Sequence, residues 1–134
     1  MLADLKDLYF GGCCDDKGTL DTIKDVYSKY GYLLDTHTAV AVSVQREYEE
    51  KTGDKRPYVI ASTASPYKFS ASVLKAVAPE KCSDDEFGMV DALHELTSVP
   101  VPAPISGLKG AEVRFKNVCE SGEMESFVLR SLGL

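Results

Sequence analysis

No run of apolar residues in this 134-residue chain approaches the roughly 18–20 needed to span a bilayer. No excess of basic residues exists either. The formal net charge is −6, and the clustered Lys/Arg that phosphate backbones require are absent, which argues against a nucleic-acid partner. The N-terminal MLADLKDLYF lacks the basic-then-apolar layout of a secretory signal. There is no low-complexity stretch and no internal repeat. The four cysteines, Cys13, Cys14, Cys82 and Cys119, include no CxxC pair, and His37 and His94 are the only histidines. That pattern does not support a zinc site, and it suits reduced thiols in a cytoplasmic protein without a membrane partner. What remains is an ordinary water-compatible composition, 44% hydrophobic and 27% charged, of a length that suits one domain.

Periodicity and punctuation divide the chain. Residues 1–9 carry Leu2, Leu5 and Leu8 at helical spacing, and 11–18 reads as a loop. A helix is expected over 19–31, with Thr19 as cap, an apolar stripe through Leu20, Ile23, Val26, Tyr27 and Tyr30, and Gly31 as its stop. A second is expected over 36–53, opened by hydroxyl caps and closed at Gly53, with Ala41, Val44 and Tyr48 at helical spacing. Pro66 fits the first turn of a third, running through SASVLKAVA. A fourth spans 84–99, capped by Ser83 or Asp84, with Phe87, Val90, Leu93 and Leu96 on its stripe. VPVPAP at 99–104 cannot be regular helix. A terminal helix covers 122–133. Strand-like segments are few: 32–35, 58–61 and 112–118. Five or six helices with two or three short strands are too few strands for a complete α/β sheet. The alternatives are a piece of a larger α/β protein or a small helical domain with one hairpin or crossover.

Two loops concentrate polar chemistry, LLDTHTAVA at 33–41 and ASTASPYKF at 61–69. Each puts hydroxyls after a strand-like run and before a helix, the edge where ligands sit in open α/β sheets. Helix N-termini also favour anions. A plainer role is available to the same groups: Thr36 and Thr38, and likewise Ser62, Thr63 and Ser65, are good helix caps.

LLDTHTAVA resembles the DPHTAV-type segment of bacterial threonine synthases, and VIASTASPYKF resembles that family's TA-(H/S)-P-x-KF segment. Both occur in the family's order, and the TIKDVYSKYGYLLD helix and the C-terminal EM-x-x-x-V-L-x-x-L helix fit as well. The resemblance covers nearly the whole chain and is strongest over 19–75. Thr36 stands where proline is common in the family, and Ser65 where some members have histidine.

The resemblance implies a fold type II pyridoxal-phosphate enzyme, which converts O-phospho-L-homoserine and water into L-threonine and phosphate. It implies an α/β fold class, with residues 1–134 forming the helix-rich C-terminal part of a three-layer α/β catalytic domain with few short strands. Alignment through the lysine of PYKF gives Thr63 the hydroxyl that faces the pyridine nitrogen of pyridoxal 5'-phosphate. Asp35, Thr36, His37 and Thr38 line the ring's edge or the wall behind it, Ser62 is a possible neighbour, and Lys68 supports the loop instead of anchoring the cofactor. The lysine that carries the cofactor, the asparagine-bearing segment and the Gly-rich phosphate loop are not in this sequence. The chain is therefore expected to be a C-terminal fragment, inactive alone, whose partner is the missing N-terminal portion and whose uncovered faces self-associate. The competing expectation is a non-catalytic module that binds a small anion or regulates. A helical docking partner of another subunit is a third.

Overall fold

The computed structural model describes Leu5 and residues 8–134. The helix expected over 1–9 lies largely outside the described residues. The rest is an all-helical arrangement, about 60% helix with no strand among the described residues. The order is α1 (Asp16–Tyr30), α2 (Thr36–Thr52), a 3-10 turn (Pro66–Phe69) running into α3 (Ser70–Val77), a second 3-10 turn (Pro79–Lys81), α4 (Glu86–Thr97), a short α5 (Ala103–Ser106), and α6 (Met124–Leu132) behind a third 3-10 turn.

Helix ends follow local chemistry, with corrections to the caps. The cap of α1 is Asp15, not Thr19: Asp15 Oδ1 accepts from Gly18 N at 2.7 Å, and the Thr19 hydroxyl lies inside the helix, donating to Asp15 O at 2.8 Å. The cap of α2 is Asp35, one residue before the hydroxyls. Both helices stop at a glycine in the left-handed region, Gly31 at φ +65° and Gly53 at φ +71°, where other residues are strained. Pro66 does open the third helical segment, through its 3-10 turn. Neither Ser83 nor Asp84 is the cap residue of α4, which is Asp85. Its far end is Ser98, held at φ +57° without glycine's freedom.

α3 is the centre. Its Val73 and Leu74 are fully buried, and it packs on α1 from one side and α4 from the other, while α1 also packs on α2. Ile23 and Val26 of α1, Ala39 of α2, and Met89, Val90 and Leu93 of α4 close the core around it, with Leu33, Leu34 and Tyr67 from the connections. An Arg46–Asp25 ion pair at 3.0 Å ties α2 to α1 at the surface, where such pairs add little stability.

None of the three strand-like segments forms a strand among the described residues. Residues 32–35 lie between α1 and α2, with Leu33, Leu34 and Asp35 buried. Val59 is 100% exposed, and Val113, Phe115 and Val118 are also bare. A strand becomes a ladder only beside another strand, and these segments carry no strand pairing among the described residues. α6 buries none of its residues, leaving Met124, Val128, Leu129 and Leu132 exposed.

Candidate functional site

The loop before α2 and the loop before α3 come together through side chains. Asp35 is buried, 1% exposed. Its Oδ1 accepts from the backbone N–H of His37 at 2.8 Å and of Thr38 at 3.2 Å. Its Oδ2 accepts the Thr38 hydroxyl. Thr38 Oγ1 and Ser62 Oγ then lie 3.2 Å apart, 24 residues distant in sequence. A hydroxyl has one proton. With the Thr38 proton on the carboxylate, the Ser62 hydroxyl completes the contact by donating to Thr38 Oγ1.

The predicted residues therefore separate into three settings. Asp35, Thr38 and Ser62 form one network, with its acid turned inward. His37 is 62% exposed at its side chain, 3.5 Å from Asp35 Oδ1 through Nδ1, and its ring packs on Phe69 at a centroid distance of 4.9 Å. His37 and Thr36 line a cleft of about 410 Å3 shared with Cys14, Thr19, Phe69 and Lys75. Thr63 is exposed, and among the described residues its hydroxyl takes no part in the network beside it. Lys68 is exposed, with Nζ 5.9 Å from the centre of the Phe69 ring.

A second anchor escaped sequence reasoning. Ser65 Oγ accepts from Tyr67 N at 3.3 Å. Tyr67 is only 3% exposed, and its phenol donates to Val99 O beyond the end of α4. Burial raises the Tyr67 phenol above its ordinary value. His94 Nδ1 is 2.8 Å from the same carbonyl, which can only accept, so Nδ1 carries the proton. A serine before a proline is a local sign of the cap; the reach of Tyr67 to Val99 has no local sign.

A cavity of about 740 Å3 lies elsewhere. Phe10, Val44, Tyr48, Asp54, Tyr58 and Ile60 are among its lining residues, and Ser62 and Thr63 are not. Among the described residues its charged groups are Asp54 and Arg56, and they satisfy each other. The Arg56 guanidinium binds both carboxylate oxygens, with Nε 3.0 Å from each, and holds Asp54 at a pKa of about 2. An aromatic-walled hollow with a neutralised ion pair offers no free acid, base or nucleophile. The hydroxyl-rich edge remains the better candidate.

Helix N-termini are poor anion sites here. Asp35 already takes the two N–H groups it reaches at the start of α2, and Asp15 with Asp16 adds negative charge at the start of α1. A phosphate at either would meet a carboxylate. The anion-binding reading loses its physical support at both.

Comparison with known proteins follows this geometry. The family described as "Threonine synthase, C-terminal" matches residues 38–128. The chain is 27% identical over 121 residues to "Threonine synthase-like 1" of Mus musculus, covering 89% of this chain and 16% of that protein. It is 30% identical over 80 residues to "Threonine synthase" of Corynebacterium glutamicum, covering 59% of this chain and 16% of that protein. It is 43% identical over 61 residues to "Threonine synthase" of Pseudomonas aeruginosa, covering 46% of this chain and 13% of that protein. The chain spans 12–16% of the length of the curated relatives it matches.

Proposed function

This chain belongs to the threonine synthase family, over that family's C-terminal region, and from this we propose that it supplies one wall of a pyridoxal-phosphate site. The complete enzyme would convert O-phospho-L-homoserine and water into L-threonine and phosphate, and this chain alone would be inactive. When bound, the cofactor supplies the electron sink for elimination and replacement on the substrate's carbon chain.

The residues present fit the ring end of that cofactor and not its phosphate end. Thr63 is exposed, shortly before the turn that Pro66 opens, whereas the nearby start of α2 is occupied by the Asp35 carboxylate. Thr63 would donate to the pyridine nitrogen. A neutral hydroxyl there does not enforce a protonated ring, which a carboxylate would, and this suits elimination and replacement over transamination. The phosphate cradle and the anchoring lysine then belong to the remainder of the enzyme.

The same remainder accounts for the bare surfaces. The exposed apolar residues of 58–61 and 112–118, which form no strand among the described residues, and the bare residues of α6 are what a piece of a three-layer α/β domain would leave uncovered.

The exposed Thr63 hydroxyl is the observation that carries the assignment. Thr63→Ala in the complete enzyme is expected to weaken cofactor affinity about tenfold, as for a lost hydrogen bond of ~1.5 kcal/mol. Affinity is read by absorbance titration and turnover by phosphate release. Unchanged affinity and turnover would remove Thr63 from the site.

A further inference from the structure

Residues 57–64 make no backbone–backbone hydrogen bond among the described residues. Their path is therefore set by side chains, and two of these flank Thr63. On one side, Ser62 Oγ meets Thr38 Oγ1 at 3.2 Å; Thr38 is 4% exposed and is itself held by the buried Asp35 that caps α2. On the other, Ser65 Oγ takes the Tyr67 N–H, and the buried Tyr67 phenol is fixed to Val99 O past the end of α4. One tether thus reaches α2 and the other reaches α4. Thr63 sits between them, exposed and outside both.

We infer that Asp35, Thr38, Ser62, Ser65 and Tyr67 are positioning residues that hold the Thr63 hydroxyl in place, acting through Thr63 and not by touching the cofactor. The inference rests on the reading that Thr63 faces the ring nitrogen. In this role Asp35 is bonded to the start of α2 and to the Thr38 hydroxyl, and Thr38 meets Ser62. The physical reason is conformational entropy. Fixing a residue's backbone costs conformational entropy, and a segment without its own ladder would incur that cost at the moment of binding. Two anchored hydroxyls incur it during folding, so the hydroxyl is already aimed.

The test is a double-mutant cycle on cofactor affinity in the complete enzyme, with a second readout on this chain without cofactor. Ser62→Ala is the main variant, because Ser62 is exposed and its loss leaves the core intact. Thr38→Val, which keeps the backbone N–H that Asp35 caps, supports it. Each is expected to weaken affinity about threefold to tenfold, the worth of one hydrogen bond, and each effect is expected to vanish in a Thr63→Ala background. In this chain alone, Ser62→Ala is expected to raise the nitrogen-15 relaxation mobility of amides 62–64.

If Thr63→Ala by itself leaves affinity unchanged, the ring-facing reading fails and the inference falls with it. If Thr63→Ala weakens binding but the Ser62→Ala effect is absent or simply adds, the ring-facing reading stands and the anchoring inference is overturned. Additivity would mean that Ser62 acts independently of Thr63. Unaltered mobility at 62–64 would likewise overturn it.

Discussion

Replacing Asp35 by alanine separates a buried cap from a cofactor contact. The carboxylate accepts from His37 N, Thr38 N and the Thr38 hydroxyl. Alanine removes both acceptor oxygens and with them all three hydrogen bonds. The hydroxyl finds another partner, because Ser62 Oγ is 3.2 Å away. The two backbone N–H groups do not. Loss of an N-cap costs about 0.5–2 kcal/mol at ordinary sites, and a buried donor left unpaired costs about 1–3 kcal/mol. These overlap, so the expected loss is about 2–4 kcal/mol, a large share of the roughly 5–15 kcal/mol that stabilises a typical domain. Asparagine is the control. Its carbonyl oxygen still caps both N–H groups, its amide donates to Thr38 Oγ1, and Thr38 turns its proton to Ser62. That exchange should cost less than about 1 kcal/mol. Urea unfolding of this chain followed by circular dichroism, with no cofactor present, measures both. A loss below about 0.5 kcal/mol for Asp35→Ala, the range of neutral surface changes, would refute the buried-cap reasoning. Equal losses for alanine and asparagine would refute it too.

Two further outcomes follow from the fold. Leu93→Ala, at a fully buried α4 position facing α3, should destabilise by about 2–5 kcal/mol through lost transfer energy and a residual cavity; a loss under about 1 kcal/mol by the same assay would mean the core is not built this way. Asp54, held at a pKa of about 2 chiefly by its hydrogen bonds from Arg56, has a folded value below its ordinary 3.8. Its contribution is thus fully present above that ordinary value and fades as pH falls from there through the folded value. A carbon-13 titration of the Asp54 carboxyl should show the low midpoint, moving up in Arg56→Ala; a midpoint at the ordinary value in the unaltered chain would exclude the ion pair.

Much of the helical layout was legible locally. Gly31 and Gly53 stop their helices at positive φ, and Pro66 opens the third segment, because each device acts within one turn of chain. The caps were misjudged by a few residues for an equally local reason. Asp15 and Asp35 precede tempting hydroxyls, and all are good cap types, so only the direction of the side chain decides among them. The segments 58–61 and 112–118 have strand composition, yet composition cannot supply a neighbour to pair with. The family, too, was legible, since it is carried by short contiguous segments around Asp35 and Thr63.

What the linear chain determined by itself is therefore the set of groups: an acid, three threonines and two serines gathered around two helix starts, with a proline to begin the second. Tertiary structure decided how they are used. Burial turned Asp35 inward, where an uncapped helix start would be costly, and the packing of α2 and α3 around the core brought Thr38 to Ser62 across 24 residues. The reach of Tyr67 to Val99 was decided in the same way. Hydrogen bonds act over about 3 Å, so which hydroxyls meet and which one stays exposed depends on packing, and no local pattern in the sequence encodes it.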